Sequence, residues 1–157
     1  MYLRKKHIFQ FTVAVLLLIG AILIAVNGRK KAVVGIESTV EPYGPAGVTM
    51  TVDESTIKKR SAAVTVHNGT DSAFKGIGGV YCIEKEIDGV WYILKDDNYS
   101  INYFDWSLPA GGDLYQKFDW YDHFGVLTKG HYRIVNYLFE VVNEPGTDFC
   151  ILAEFDI

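Results

Sequence analysis

From Ile8 to Val26 the chain reads IFQFTVAVLLLIGAILIAV, nineteen residues without a charge. As a helix it would cover roughly 29 Å, about the hydrocarbon thickness of a bilayer. No other feature narrows the possible structures as far, because whatever follows is then a domain tethered by its N-terminus to a membrane. A buried core helix fits poorly, since only Gln10 and Thr12 interrupt the run with polar side chains. A cleaved signal peptide fits the basic start, Arg4, Lys5 and Lys6, but the run outlasts the roughly 7–15 residues of an ordinary signal core. The pairs offered for cleavage are weak: Leu23 before Ala25, Ala25 before Asn27, and Val26 before Gly28. No cysteine follows the run, which excludes lipoprotein processing. The expectation is one uncleaved transmembrane helix over 8–26, behind a basic tail of residues 1–7.

Positive charge does not settle the orientation. Arg4, Lys5 and Lys6 on one side match Arg29, Lys30 and Lys31 on the other. A short basic tail ahead of the first apolar run resembles an export signal, which puts the C-terminal domain outside the cell membrane on a single-pass anchor. From Ala32 onward nine Lys and Arg stand against nineteen Asp and Glu, a formal charge of −10. That balance argues against nucleic acid as a partner and against lying flat on an anionic bilayer.

Residues 27–46 read as a linker, with two prolines and a glycine in Glu41-Pro-Tyr-Gly-Pro-Ala46 discouraging helix and sheet alike. The remainder, 47–157, has the size of one ordinary domain. Val48, Met50 and Val52 share one face, and Ala62, Val64 and Val66 repeat the pattern. Both are period-two runs, the mark of a strand with one buried side. Asp88-Gly89 stands between two further runs, Tyr81–Ile87 and Val90–Leu94. That pair predicts a tight hairpin, because a type I′ turn needs positive φ at both central residues. Leu114–Trp120, Tyr132–Val142 and Phe149–Ile157 supply more strands, and the alternation of the second breaks near Asn136, as at a bulge. No stretch after Val26 keeps a helical period. The fold class expected is all-β, a sandwich of seven to eight strands behind the transmembrane helix.

Phe118–Val135, FDWYDHFGVLTKGHYRIV, carries a resemblance. A strand ending in tryptophan leads through a short loop into Gly-x-Tyr-Arg-Ile, as in the bacterial immunoglobulin-like domains. Gly47-Val-Thr-Met50, Glu84–Tyr92, Leu108-Pro-Ala-Gly-Gly112 and the closing Leu152–Ile157 match in order, so the likeness covers nearly all of 47–157. It implies an immunoglobulin-like β-sandwich on an exported or membrane-attached bacterial protein. In such sandwiches a tyrosine at the start of strand F sends its hydroxyl back to the preceding loop, a place Tyr132 is spaced to fill. No cysteine stands two residues after Tyr132, and Trp91 follows the Asp-Gly turn instead of sitting in the preceding strand, so aromatics, Trp120 among them, close the core in place of a disulfide.

The chemical constellations are thin. Cys82 and Cys150 fall on strands with a third strand between them, a separation of about 9–10 Å that exceeds the reach of a disulfide, so two free, partly buried thiols are expected. Ser55-Thr-Ile-Lys58 fits the S-x-x-K pattern and Ser100-Ile-Asn102 the S-x-N pattern of penicillin-recognising enzymes. No K-T-G follows, and Ser55 sits in a polar turn where those enzymes need a helix. His7, His67, His123 and His131 show no zinc spacing. Asp96, Asp97, Asp105, Asp113 and Asp119 do not form a calcium loop, although loops distant in sequence could still assemble such a site. The reading is of no catalytic residue, no metal and no cofactor.

Aromatics between Tyr99 and Phe124 form the last group. Trp106, Phe118 and Trp120 are assigned to the core. Tyr99, Tyr103, Tyr121 and Phe124, with Asp96, Asp97 and Asp122, are the candidate contact surface on loops at one end of the sandwich. The competing view is that these tyrosines cap the core. The function expected is a non-enzymatic, extracytoplasmic binding module whose partner is a protein or a cell-wall polymer. The alternative is an accessory subunit of a membrane sensor or transporter, contacted through both helix and domain.

Overall fold

The computed structural model describes residues 30–96, 98, 104–140 and 148–157. Among these residues no helix is long and apolar enough to cross a membrane. The apolar stretch Ile8–Val26 lies outside them.

Lys31–Ile157 is one compact unit of two sheets. The strands are β1 (Val34–Glu37), β2 (Val48–Lys58), β3 (Ser61–Asn68), β4 (Phe74–Ile87), β5 (Val90–Leu94), β6 (Phe104–Leu108), β7 (Asp113–Asp119), β8 (His131–Glu140) and β9 (Asp148–Asp156). A single helical turn, α1 (Tyr121–Phe124), links β7 to the approach of β8. The large sheet runs β1-β5-β4-β8-β9, with β6 also paired to β4, and the small sheet runs β2-β3-β7. All ladders are antiparallel. Among the described residues nine strands thus stand where seven to eight were expected, the additional ones being β1 and the short β6. The β4–β5 hairpin turns on Asp88 at φ 53° and Gly89 at φ 82°, the positive values that an Asp-Gly turn supplies cheaply.

The alternating residues named in the sequence fill the space between the sheets. Val64, Val66, Ile83, Ile134 and Leu138 are fully buried there, joined by Trp106, Phe118, Trp120, Leu127 and Phe155. Tyr81 leans on Phe118 at 4.6 Å and Phe124 at 5.8 Å, and its hydroxyl donates to the Asp119 carbonyl at 3.2 Å, tying one sheet to the other. The irregularity foreseen near Asn136 is present, but the extra residues lie in its partner. From Gly76↔Leu138 to Tyr81↔Asn136, β4 advances five residues while β8 advances two. Gly76 itself lies under an indole, since a Cβ there would collide with the Trp106 ring.

The 27–46 stretch needs correction as a linker. Lys31 bridges Val126, β1 pairs with β5, and Tyr43 bridges Cys150. Pro42 and Pro45 do discourage regular structure, but both come after β1 and flank the one rung at Tyr43. The apolar patch ahead of them was therefore able to pair. Residues 31–43 bind along the large sheet, β1 as its edge strand and Ser38–Tyr43 as a strap over its outer face, and the folded unit starts at Lys31, sixteen residues before Gly47.

Candidate functional site

The loop cluster expected from the sequence is only partly assembled. Asp97, Tyr99 and Tyr103 lie outside the described residues. Phe124 is a correction: it is 2 % exposed, because the turn of α1 directs it inward against Tyr81. It belongs to the core and offers no contact surface. Tyr121 is half-buried under the Arg60 guanidinium, 4.2 Å from the ring centre. Asp96 receives His123 Nδ1 at 3.1 Å and the backbone N–H of Asn98 at 2.8 Å, while Asp122 is exposed on α1. Trp120 is fully buried and its indole N–H donates to the Lys59 carbonyl at 3.2 Å. Tyr132 opens β8 with its hydroxyl donating to the Thr128 carbonyl at 2.8 Å, which ties the loop back to the strand.

The outer face of the large sheet carries an ion pair under the strap. Glu84 on β4 stands opposite Arg133 on β8, and Arg133 Nε donates to the Glu84 carboxylate at 2.6 Å. Neither is exposed beyond 7 %. Ser38 donates to the second carboxylate oxygen at 2.7 Å, the guanidinium donates to the Val40 carbonyl at 2.9 Å, and Trp91 stacks on the guanidinium at 4.4 Å. Every member has a partner, which a buried charge requires. Cys82 and Cys150 lie on the same face, on β4 and β9 with β8 between, and both are free thiols. Burial, then the Glu84 carboxylate, pushes the Cys82 thiol up to about 12, and burial raises Cys150 as well. A thiol held protonated is a poor nucleophile.

Beyond the strap the edge of the sandwich opens. A cleft of about 370 Å³ lies in the seam between β2 and β9. Val52, Glu54 and Ile57 line it from β2, and His131, Glu154, Phe155 and Asp156 from the large sheet. It exists because β2 breaks register here: between Asp53↔Ala63 and Lys58↔Ser61, β2 advances five residues and β3 two. His131 reaches Asp156 through Nδ1 at 2.9 Å and Glu154 through Nε2 at 3.2 Å. The bond to Asp156 raises the ring above its ordinary value, burial opposes this, and Glu154 adds to the rise. Both ring nitrogens face carboxylates, so the doubly protonated ring satisfies both and the neutral ring only one. Among the described residues no cluster has metal-binding geometry.

No motif in the sequence singles out Glu54, Glu154 and Asp156, and His131 stands there only among the histidines without zinc spacing. The signal was present in the alternation of Ile151, Ala153 and Phe155, which sends residues 152, 154 and 156 to the opposite face. Tyr132 facing the core likewise sends His131 outward. What the alternation lacked was the β8–β9 register, His131↔Asp156 and Arg133↔Glu154, which sets these groups side by side.

A family model described as a bacterial Ig-like domain matches residues 44–150. None of the curated proteins matches the chain. Among solved structures, the ASH / PapD-like domain of human CEP192 (PapD-like domain 7) is similar at 12 % identity and a TM-score of 0.29, covering 78 % of this chain and 97 % of that one. A protein from Archaeoglobus fulgidus is similar at 11 % identity and a TM-score of 0.28, covering 74 % and 98 %. Likeness at that level carries no argument about this chain.

Proposed function

This chain belongs to the bacterial Ig-like domain family, and on that premise we propose that it is a non-enzymatic interaction module displayed outside the cell on the single-pass anchor Ile8–Val26. The observation that carries the reading is the cleft on the β9 seam, where Glu54, Glu154 and Asp156 converge beside apolar Val52, Ile57 and Phe155. A protein or wall polymer bearing positive charge next to apolar groups suits that lining, and the net charge of the domain would steer it there. The loops around Asp96, Asp97, Asp122, Tyr99, Tyr103 and Tyr121 would extend the acidic surface as a secondary contact. A second reading is an accessory subunit of a membrane sensor or transporter, contacted through both the anchor stretch and the domain.

The test is photo-crosslinking in intact, wall-stripped cells from residue 154 and, as a control, from Tyr115, which is 63 % exposed on the free side of β7. One defined adduct from residue 154 and none from Tyr115 is the expected result. Equal labelling from both positions would remove the cleft from the reading. A membrane-impermeant protease should digest the domain in the same cells; digestion only after lysis would place it inside.

A further inference from the structure

We propose that the open edge of β9, from Leu152 to Asp156, takes up an extended basic segment of a partner protein as an added strand. The inference rests on the interaction-module reading and gives the partner a backbone conformation and a side-chain pattern.

In the large sheet β9 is a terminal strand. Its outward side is identified by its one occupied rung: Cys150 N–H donates to the Tyr43 carbonyl at 2.8 Å, and Tyr43 N–H donates back to the Cys150 carbonyl at 3.2 Å. In an antiparallel ladder outward and inward groups alternate by residue, so Leu152, Glu154 and Asp156 also turn N–H and C=O away from β8. At the far end Ile157 exchanges both bonds with Gly130, on the inward side, consistent with that alternation. After Tyr43 the chain passes through Gly44 and Pro45 to β2, and no backbone group among the described residues takes the next three outward rungs. One rung of this edge is thus already made by an antiparallel partner; past it Gly44, Pro45 and Val48–Met50 stay beside Cys150–Leu152, and the cleft follows at Glu154–Asp156.

Side chains set the partner's chemistry. On one face, an added strand would lay alternate residues beside Glu154 and Asp156, where basic groups are favoured. On the other face, the intervening residues would enter the cleft toward Val52, Ile57 and Phe155, which favours apolar groups. A second copy of β9 on the same edge would oppose carboxylate to carboxylate, an unfavourable cross-strand pairing. The complement is a segment alternating basic and apolar residues, held by main-chain bonds in the manner of strand addition.

The probe is an eight-residue peptide of alternating lysine and valine, added to the full chain and followed by amide hydrogen exchange. The amides of Leu152, Glu154 and Asp156 should slow by roughly fivefold or more, the effect of a net hydrogen bond near 1 kcal/mol. The same peptide N-methylated at alternate residues keeps its charge but loses the donors of one edge. The isomer whose methyl groups face β9 should bind at least about tenfold more weakly, and its complement should not. Binding that leaves the three amides unprotected, or both isomers binding alike, overturns strand addition while charge-based binding at the cleft stands. Protection without peptide, together with a dimer in sedimentation, overturns it in favour of a second copy. No binding of the parent peptide overturns it as well, and the crosslink from residue 154 then judges the interaction reading separately.

Discussion

Glu84 and Glu154 lie on the same face of the same sheet, flank the same strand, and each engages a basic side chain on β8. Glu84 is fully buried and meets Arg133 at 2.6 Å. Glu154 has a half-exposed side chain and meets His131 at 3.2 Å. The strap makes the difference. Ser38 and Val40 close over the first pair, and the chain leaves β9 after Tyr43, so nothing from residues 31–43 bonds to the second. Identical carboxylates are thereby given different surroundings: one locks the N-terminal segment to the sandwich, and the other keeps its contact with water. Removing the water around the first pair made it costly to break, whereas leaving it around the second kept the pair weak and exchangeable.

Breaking the locked pair should have the largest effect. Glu84→Ala leaves Arg133 buried without its carboxylate and should destabilise the folded unit by about 3–5 kcal/mol in denaturant unfolding. The double replacement Glu84→Met with Arg133→Met removes both charges while keeping volume, and should recover most of that loss. If the single variant costs under about 1 kcal/mol, the pair is solvated in practice and the contrast with Glu154 fails. Next in size, Ser38→Ala removes one hydrogen bond to the carboxylate and should cost about 1.5 kcal/mol, the low end for a bond to a charged group. It should also speed proteolysis within residues 31–43 relative to the rest of the unit. Equal cleavage rates in variant and parent would show that the strap is held by β1 and Tyr43 alone.

How legible this contrast was in the sequence differs between its two halves. The strands around both glutamates were readable, because Ile83, Ile134, Ala153 and Phe155 alternate against polar neighbours and burial of one face obliges such a pattern. The separation of Cys82 from Cys150 followed from strand order alone. Neither the strap nor the cleft was readable. Val33 and Val34 are 49 % and 37 % exposed, so β1 is held by backbone bonds to β5 and leaves little hydropathy signal. Glu84 and Arg133 look like ordinary surface charges until the strap is known to cover them. The cleft depends on a register break in β2 that composition does not encode, for Asp53 and Thr56 stabilise it through local bonds, Ser55 N–H to the Asp53 carboxylate at 3.0 Å and Ala63 N–H to the Thr56 hydroxyl at 2.8 Å. Phe124 was misassigned for a related reason: four residues of helix rotate it inward, and so short a turn has no period to detect.

The smallest expected effect sharpens the comparison most, because the open pair contains a histidine and the locked pair does not. His131 is held above its ordinary value, first by the Asp156 carboxylate and then by Glu154, against the opposing effect of burial. The carboxylates bonded to its ring are these two, Glu54 lines the same cleft, and Trp91 lies 5.5 Å from the ring. A basic group whose folded value is raised contributes stability that is fully present below its unfolded value, about 6.5, and is lost as pH rises through the higher folded value. The contribution is therefore present below about pH 6.5 and fades as pH rises above it. The parent should be more stable than His131→Gln at pH 5.5, by less than about 1 kcal/mol because the pair is solvated, and the difference should shrink as pH rises. Added salt should shrink the difference, as it does for exposed charges. A gap that stays constant from pH 5.5 to 8.5 would mean that the ring acts by packing on Trp91 and not through its charge, and the contrast between the two glutamates would then not rest on the histidine.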